Sequence, residues 1–201
     1  LAATDIINLS NADCNQKIKD LNSFGSYGDI DIINSSSYGG RGAPSGKWYI
    51  GMTGGSTDII ALRLSSPLTT GRTYTMSFYA RKTSTYQSYP IHIGLSKSND
   101  NIGIAIYTSP QLTTTDVWTQ YNLNFKASFN AEYITVHMPS GNLYDWVNLD
   151  NFTFINNSKC PETLTVLSSA ETVTLGASAT FTAVGGTNIK WSNYETLSYL
   201  C

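Results

Sequence analysis

The sequence predicts an all-β chain: a β-sandwich of jelly-roll type over residues 1–158, followed by the opening strands of a second sandwich over residues 159–201. Three observations favour this fold class. Short runs with alternating apolar residues recur, and Gly, Pro, Asn or Ser-Thr clusters bound each run. Charged residues make up only 13% of the chain, and no window shows a sustained helical period. Thr, Ser, Asn, Gly and Tyr dominate, and these residues suit twisted strands and tight turns.

The predicted strands of the first sandwich follow in order from Trp48. In the run from Tyr74 to Arg81, alternate residues are apolar, which places Tyr79 and Arg81 on the face opposite the core. The run from Ile91 to Leu95 alternates in the same way and leaves His92 opposite its apolar face. The predicted strands cover residues 48–52, 58–64, 74–81, 91–95, 101–107, 118–125, 133–138 and 147–155.

A polar segment from Asn156 to Pro161 indicates a linker between the two sandwiches. Short strands are predicted beyond it, over residues 163–167, 173–175, 179–183 and 189–191. About forty residues are too few for a second complete sandwich, which needs roughly 100. We therefore expect further domains of the same polypeptide after Cys201.

The charge pattern argues against two classes of partner. The formal net charge is −2 and no basic run is present, whereas phosphate binding needs clustered Lys and Arg. Nucleic acid is therefore not an expected partner. No apolar run is long enough to span a bilayer, so membrane insertion is not expected either.

The three cysteines are Cys14, Cys160 and Cys201. The first and last strands of a jelly roll are commonly neighbours, so we predict a disulfide between Cys14 and Cys160. Closing a loop of that length stabilises a fold by about 4–5 kcal/mol in the chain-entropy model. Such a bond predicts an oxidising, extracellular location, and the partner of Cys201 is expected beyond this sequence.

Four segments in order carry a resemblance to a known family: residues 46–51 (GKWYIG), 64–81 (LSSPLTTGRTYTMSFYAR), 118–125 (WTQYNLNF) and 147–154 (VNLDNFTF). Together they resemble the carbohydrate-binding jelly rolls related to xylan- and glucan-binding modules. The nearest likeness is to versions found in secreted and surface proteins of gliding Bacteroidetes. The tail is similar to the bacterial immunoglobulin-like repeats that accompany them, which implies an incomplete immunoglobulin-like domain.

The resemblance also implies a calcium ion and a packing tryptophan. Such jelly rolls often bind a structural calcium with carboxylates and carbonyls. Asp150 lies where the family supplies one carboxylate, and Asp13 or Asp5 is expected to supply another. The alternative is that these are solvated acids near strand ends. Trp118 matches the family's packing tryptophan and is expected in the core.

An enzyme is not predicted. The only histidines, His92 and His137, are far apart in sequence, and no Gly-x-Ser-x-Gly elbow is present. Glycoside hydrolysis needs two carboxylates about 5–10 Å apart in a cleft. Asp29 with Asp31, or Asp145 with Asp150, are candidate pairs, but solvent-facing positions on strands and loops explain them better.

Sugar binding requires aromatic rings that stack on a pyranose and polar groups that bond its hydroxyls. Two sets of residues qualify. The predicted loops offer Tyr86, Tyr89, Tyr144 and Trp146, while the strand face opposite the core offers Tyr79, Arg81, His92, Tyr133 and His137. Trp48 is a further candidate, because it lies opposite Tyr49 and Gly51. Tyr144 and Trp146 are the strongest candidates, because aromatic residues in loops have the least structural explanation.

The sequence therefore predicts a non-catalytic extracellular module that binds a polysaccharide or surface glycan within a larger secreted or cell-surface protein. The alternative is a structural or adhesive domain of a gliding-type surface adhesin with no sugar site. A groove with two or more exposed aromatic rings favours the first hypothesis. A flat polar face favours the second.

Overall fold

A computed structural model describes residues 6–34 and 42–157, and in the tail residues 165–169, 172, 174–178, 180–184, 189–190 and 196–197. The chain divides into two compact units, Leu1–Asn156 and Asn157–Cys201. The strands of the first unit are β1 (Ile6–Ser10), β2 (Leu21–Phe24), β3 (Asp29–Asn34), β4 (Trp48–Thr53), β5 (Ile59–Arg63), β6 (Thr73–Arg81), β7 (His92–Ser96), β8 (Ile104–Thr108), β9 (Thr119–Lys126), β10 (Tyr133–His137) and β11 (Trp146–Asn156). The all-β prediction is confirmed.

The first unit is a sandwich of two antiparallel sheets. Sheet A has six strands in the order β1-β3-β4-β11-β6-β9, and sheet B has five in the order β2-β5-β10-β7-β8. The core between them takes alternate residues from both sheets, including Met76 and Phe78 of β6 and Ile93 and Leu95 of β7. Each strand therefore directs every second side chain away from the core, which leaves an outer face on each sheet.

A short helix that the sequence pattern did not predict, α1 (Asn11–Lys17), joins β1 to β2. The Ser10 hydroxyl caps it by accepting the Asp13 N–H at 3.1 Å, and Lys17 pairs with Asp13 at 3.0 Å. The helix buries Cys14 completely as a free thiol, and burial raises the pKa of that thiol. Cys160 and Cys201 lie outside the described residues, so the disulfide between Cys14 and Cys160 stays a prediction.

Strand β11 contains a β-bulge that resets its alternation. Asp150 pairs with Tyr79 but Thr153 pairs with Ser77, so β11 uses one residue more than β6 over this stretch. Asn151 adopts a positive φ of 51°, which Asn tolerates better than most residues. The bulge lets Leu149 before it and Phe152 after it both face the core.

The second unit contains two small antiparallel pairs. Strand β12 (Thr165–Ser168) pairs with β13 (Phe181–Val184), and β14 (Ile189–Lys190) pairs with β15 (Thr196–Leu197). Its described part is therefore β-structured. The proposed immunoglobulin-like identity of this unit stays a prediction.

Candidate functional site

The outer face of sheet A carries a groove with a cavity of about 470 Å³. Its floor comes from strands β3, β4, β11 and β6, and its rim comes from the segment that follows β6. We call it the aromatic groove. The residues that line it are Asp31, Ile33, Tyr49, Arg81, Thr83, Ser84, Thr85, Tyr86, Asp116, Trp146 and Asn148.

Strand alternation explains why these side chains meet. In β3, Asp31 lies between the buried core residues Ile30 and Ile32. In β11, Asn148 lies between the core residues Val147 and Leu149. Because neighbouring strands keep the same phase across their hydrogen bonds, Asp31 and Asn148 both lie opposite Gly51 of β4 and so share one face.

Arg81 forms the polar centre of the groove. Its side chain is only 2% exposed, and its guanidinium carbon lies 5.0 Å from the ring centre of Tyr49 and 4.8 Å from that of Trp118. One nitrogen donates to the Tyr49 hydroxyl at 3.1 Å, while Nε and Nη1 are buried with no hydrogen-bond partner among the described residues. Buried donors are normally paired, so these N–H groups are candidates for contact with a ligand.

Trp146 forms the aromatic wall. Its indole N–H donates to Asn148 Oδ1 at 2.8 Å, and its ring centre lies 6.2 Å from that of Tyr86. The indole lies directly on Gly51, where an added Cβ would stand 2.1 Å from Trp146 Cζ2. Gly51 therefore allows the indole to lie low against the sheet.

A second cavity of about 250 Å³ continues the groove across β3 and β1. We call it the acidic pocket. It shares Asp31, Tyr86 and Trp146 with the aromatic groove, so the two cavities form one continuous surface. Its other lining residues are Asn8, Tyr27, Asp29, Thr53, Asp58, Leu143 and Tyr144.

Burial and mutual repulsion perturb the carboxyl groups in this pocket. Burial, and next the charges of Asp29 and Asp58, raise the pKa of Asp31 to about 6. Burial also raises the pKa of Asp58, although the Thr53 N–H donates to its Oδ2 at 2.7 Å. Charge is therefore unevenly distributed over this surface. Arg81 lines the aromatic groove, together with Asp31 and Asp116, whereas Asp29, Asp31 and Asp58 line the acidic pocket.

Four of the predicted ligand-binding residues line this surface. Arg81 lines the aromatic groove, Tyr86 and Trp146 line both cavities, and Tyr144 lines the acidic pocket with 75% of its surface exposed. Tyr79 lies one step from Arg81 on the same face of β6, half-buried, but does not line either cavity.

The structure separates three other candidates from the groove. Tyr89 packs against the core, and its N–H contacts Met138 Sδ at 3.1 Å. His92 lies on sheet B, where it pairs with His137 across the ladder. Trp48 also packs against the core, so the two faces of β4 are the reverse of those expected. The tests of binding that follow therefore use His92 as a control.

Sequence reasoning missed Tyr49 and misplaced Trp118. Tyr49 is buried beneath Arg81, and its ring meets Trp118 edge-on at 5.4 Å. Trp118 is half-buried, lies outside the hydrophobic core, and donates from its indole nitrogen to the Gly42 carbonyl at 2.9 Å. Their nearness to Arg81 depends on the strand order β4-β11-β6-β9, which the sequence pattern does not contain.

The two predicted calcium ligands have different partners. Asp13 is half-exposed and pairs with Lys17, while Asp150 accepts the Ser45 N–H at 3.0 Å. Within the described residues, no group of three or more His, Cys, Asp or Glu side chains is arranged to hold a metal ion. Asp5 lies outside the described residues, so the calcium site stays a prediction.

The residues considered for catalysis occupy other roles. Asp145 accepts the Asn142 N–H at 2.8 Å and so closes the 142–145 turn. His92 and His137 stack edge-on with ring centres 5.5 Å apart, and neither lines the groove or the acidic pocket. Asp29 and Asp31 share the acidic pocket. Among the described residues, no helix is long and apolar enough to cross a membrane.

Solved structures with this fold include two cleaved adhesin domains of Lys-gingipain. The K2 domain is 12% identical, with a TM-score of 0.52 over 75% of this chain and 99% of that one. The K1 domain, from Porphyromonas gingivalis W83, is 13% identical, with a TM-score of 0.51 over 77% and 100%.

A third similar structure is the xylanase 10B of Clostridium thermocellum, in a CBM22-1-GH10 form complexed with xylohexaose. It is 12% identical, with a TM-score of 0.50 over 79% of this chain and 29% of that one. At these identities the likeness shows the fold alone. No curated protein shows significant sequence similarity to the chain.

A family model gives the assignment. The model described as "Carbohydrate binding domain" matches residues 9–142, which is most of the first unit and about two thirds of the chain. The matched range includes β3, β4 and β6, which contribute Asp31, Tyr49 and Arg81 to the groove. The chain belongs to the carbohydrate-binding domain family.

Proposed function

We propose that this chain is a non-catalytic, extracellular module that binds a polysaccharide chain along the outer face of sheet A. The observation that carries the proposal is the aromatic groove itself. Tyr49, Tyr86 and Trp146 line a cavity in which Arg81 has buried donors with no hydrogen-bond partner among the residues described. Aromatic faces and a few placed polar groups are what a pyranose ring requires.

Further support comes from the open course of the groove. The two cavities adjoin at Asp31, Tyr86 and Trp146, so lining residues extend from Arg81 past Trp146 to Tyr144. A site of that form suits an internal stretch of a glycan chain. In this proposal the module recruits a larger secreted or cell-surface protein to its polysaccharide.

The experiment compares wild type with Trp146→Ala and with His92→Ala, which alters an aromatic residue on the other sheet. Retention and affinity are measured on a panel of soluble and insoluble polysaccharides, with thermal unfolding to verify folding. We expect Trp146→Ala to weaken binding about tenfold or more, because 1.4 kcal/mol of lost contact corresponds to one decade. His92→Ala should bind like wild type.

Two outcomes would contradict the proposal. If wild type is retained by no member of the panel, the module is the structural or adhesive domain of a surface protein that the sequence left as the alternative. If it binds but Trp146→Ala binds equally well, the sugar site lies elsewhere.

A further inference from the structure

The acidic pocket carries more negative charge than its surroundings neutralise. Asp29, Asp31 and Asp58 line it, and no Lys, Arg or His does. In the described part of the chain the ion pairs are Lys17–Asp13 and Lys19–Asp20, and neither involves a residue of the pocket. Concentrated charge of one sign in a cleft attracts ligands of the opposite sign.

Asp58 provides an independent sign that this charge faces a ligand. The residue is 4% exposed and accepts the Thr53 N–H through Oδ2, but its buried Oδ1 has no hydrogen-bond partner in the part of the chain that the structure describes. Burying a carboxylate oxygen without a donor is costly. Since Asp58 lines the pocket, a donor placed there by a ligand would relieve that cost.

The remaining walls favour an organic cation over a metal ion. Tyr27 and Tyr144 are 53% and 75% exposed beside the aspartates, and Trp146 closes the side shared with the aromatic groove. Aromatic faces attract ammonium groups. No group of three or more metal-ligating side chains is arranged for a metal ion within the described residues.

We propose that the acidic pocket binds the protonated amino group of a hexosamine residue in the glycan chain that the aromatic groove holds. The module then selects polysaccharides with free amino groups over their acetylated forms. This inference rests on the proposed function, because the pocket adjoins the groove through Trp146, Tyr86 and Asp31. The raised pKa of Asp31, about 6, agrees with carboxylates held together without a cation.

The test uses two hexasaccharides with the same β-1,4 backbone, one of glucosamine and one of N-acetylglucosamine. Affinities are measured by calorimetry near pH 6.5 at low and high salt. We expect wild type to bind the glucosamine hexamer about tenfold more tightly or better at low salt, because hydrogen bonds to charged groups are the strong ones. The preference should shrink at high salt.

Asp29→Asn should lower affinity for the glucosamine hexamer several-fold while leaving the acetylated hexamer unaffected. Asp31 also lines the aromatic groove, so for Asp31→Asn the measured quantity is the ratio of the two affinities, which should shrink several-fold. Asp100→Asn is the matched control, because it removes the same charge from an exposed aspartate on the loop that joins two strands of sheet B. Asp58 is left intact because its Oδ2 holds the Thr53 backbone.

Three results would overturn the inference: equal or tighter binding of the acetylated hexamer, an undiminished preference in both Asn variants, or the same loss of preference in Asp100→Asn. Calorimetry with calcium chloride adds a further arm. Asp31-dependent calcium binding without glucosamine preference would replace the hexosamine with a metal. If the chain binds neutral glycans through Trp146 but shows no preference for glucosamine, this inference alone is wrong. If it binds no glycan at all, the proposed function is wrong as well.

Discussion

The two sheets of the sandwich have outer faces of opposite character. Sheet A exposes a groove with aromatic walls, buried donors and four aspartates. On sheet B, the side chains at the centre of the outer face are small, and the loop before β8 lies over them. The Thr135 hydroxyl donates to the Ile102 carbonyl in this loop at 2.6 Å. Gly94 lies beneath the same carbonyl, where an added Cβ would be 2.5 Å from the oxygen. The same alternation therefore leaves an open groove on one face and a closely covered surface on the other.

The largest effect on the free energy of unfolding is expected at Gly94, where the outer face of sheet B is most closely packed. Gly94→Ala places a methyl 2.5 Å from both the Ile102 carbonyl oxygen and Thr135 Oγ1. We expect it to lower the free energy of unfolding by about 2–4 kcal/mol, because backbone must move to accommodate the methyl. Urea unfolding measures this change. Wild-type stability in Gly94→Ala would show that the loop does not seal sheet B.

A second prediction concerns the histidine pair on sheet B. Burial, and next the charge of His92, lower the pKa of His137 to about 4 from its ordinary value of 6.5. The unfolded chain therefore takes up the proton first, so stability falls as the pH drops from about 6.5 to 4. The loss is at most about 3 kcal/mol.

His137→Gln should flatten this pH dependence, measured by urea unfolding at a series of pH values. His92→Gln, which leaves His137 in place, should keep most of it. An unaltered profile in His137→Gln would assign the acid sensitivity to other groups.

Gly51, on the outer face of sheet A, should give a different result from Gly94 on sheet B. Gly51→Ala places a methyl 2.1 Å from Trp146 Cζ2, a side-chain atom at the edge of an open cavity. Because the indole can move outward, we expect the free energy of unfolding to change by only about 1 kcal/mol. We expect the affinity for the glycan to fall about tenfold. Loss of stability without loss of binding would contradict the assigned position of Trp146.

The smallest expected effect is on the acidic side of sheet A. The pKa of Asp31 is raised to about 6, so ionising it costs more in the folded state than in the unfolded chain. This cost is complete above about pH 6 and disappears below the ordinary value of 3.8. Asp31→Asn should therefore be more stable than wild type by about 1 kcal/mol at pH 7.5 and nearly equal at pH 3.5.

Much of the sandwich was predictable because turn residues bound the short apolar runs of β4 to β11, and β6 and β9 also alternate clearly between core and outer residues. The N-terminal strands were missed because adjacent isoleucines such as Ile32 and Ile33 are both buried, on opposite faces. Helix α1 is only seven residues long, too short to show a period. The bulge at Asn151 shifts the phase of β11, and nothing in local alternation marks that shift.

The candidate site was predictable where the pattern of a single strand was enough. Alternation alone placed Arg81 on the outer face. A predicted loop position singled out Tyr144 and Trp146, but that prediction was wrong for Trp146, which is the first residue of β11. Tyr49 and Trp118 were not predicted as site residues, because they join the site through contact with Arg81 from strands that are distant in sequence. Asp58 was not predicted as a site residue, because it lies in the turn before β5 of sheet B but lines a pocket on sheet A.

Hydrogen bonds with the first residue of β11 hold the middle of the segment between β6 and β7 against the sandwich. The Trp146 N–H donates to the Gln87 carbonyl at 2.8 Å, and the Ser88 hydroxyl donates to the Trp146 carbonyl. Residues 83–86 upstream of this clasp form the rim of the groove without belonging to any strand. Insertions there would remodel the rim while the scaffold stays intact, so this stretch is a natural point for grafting new sugar preferences.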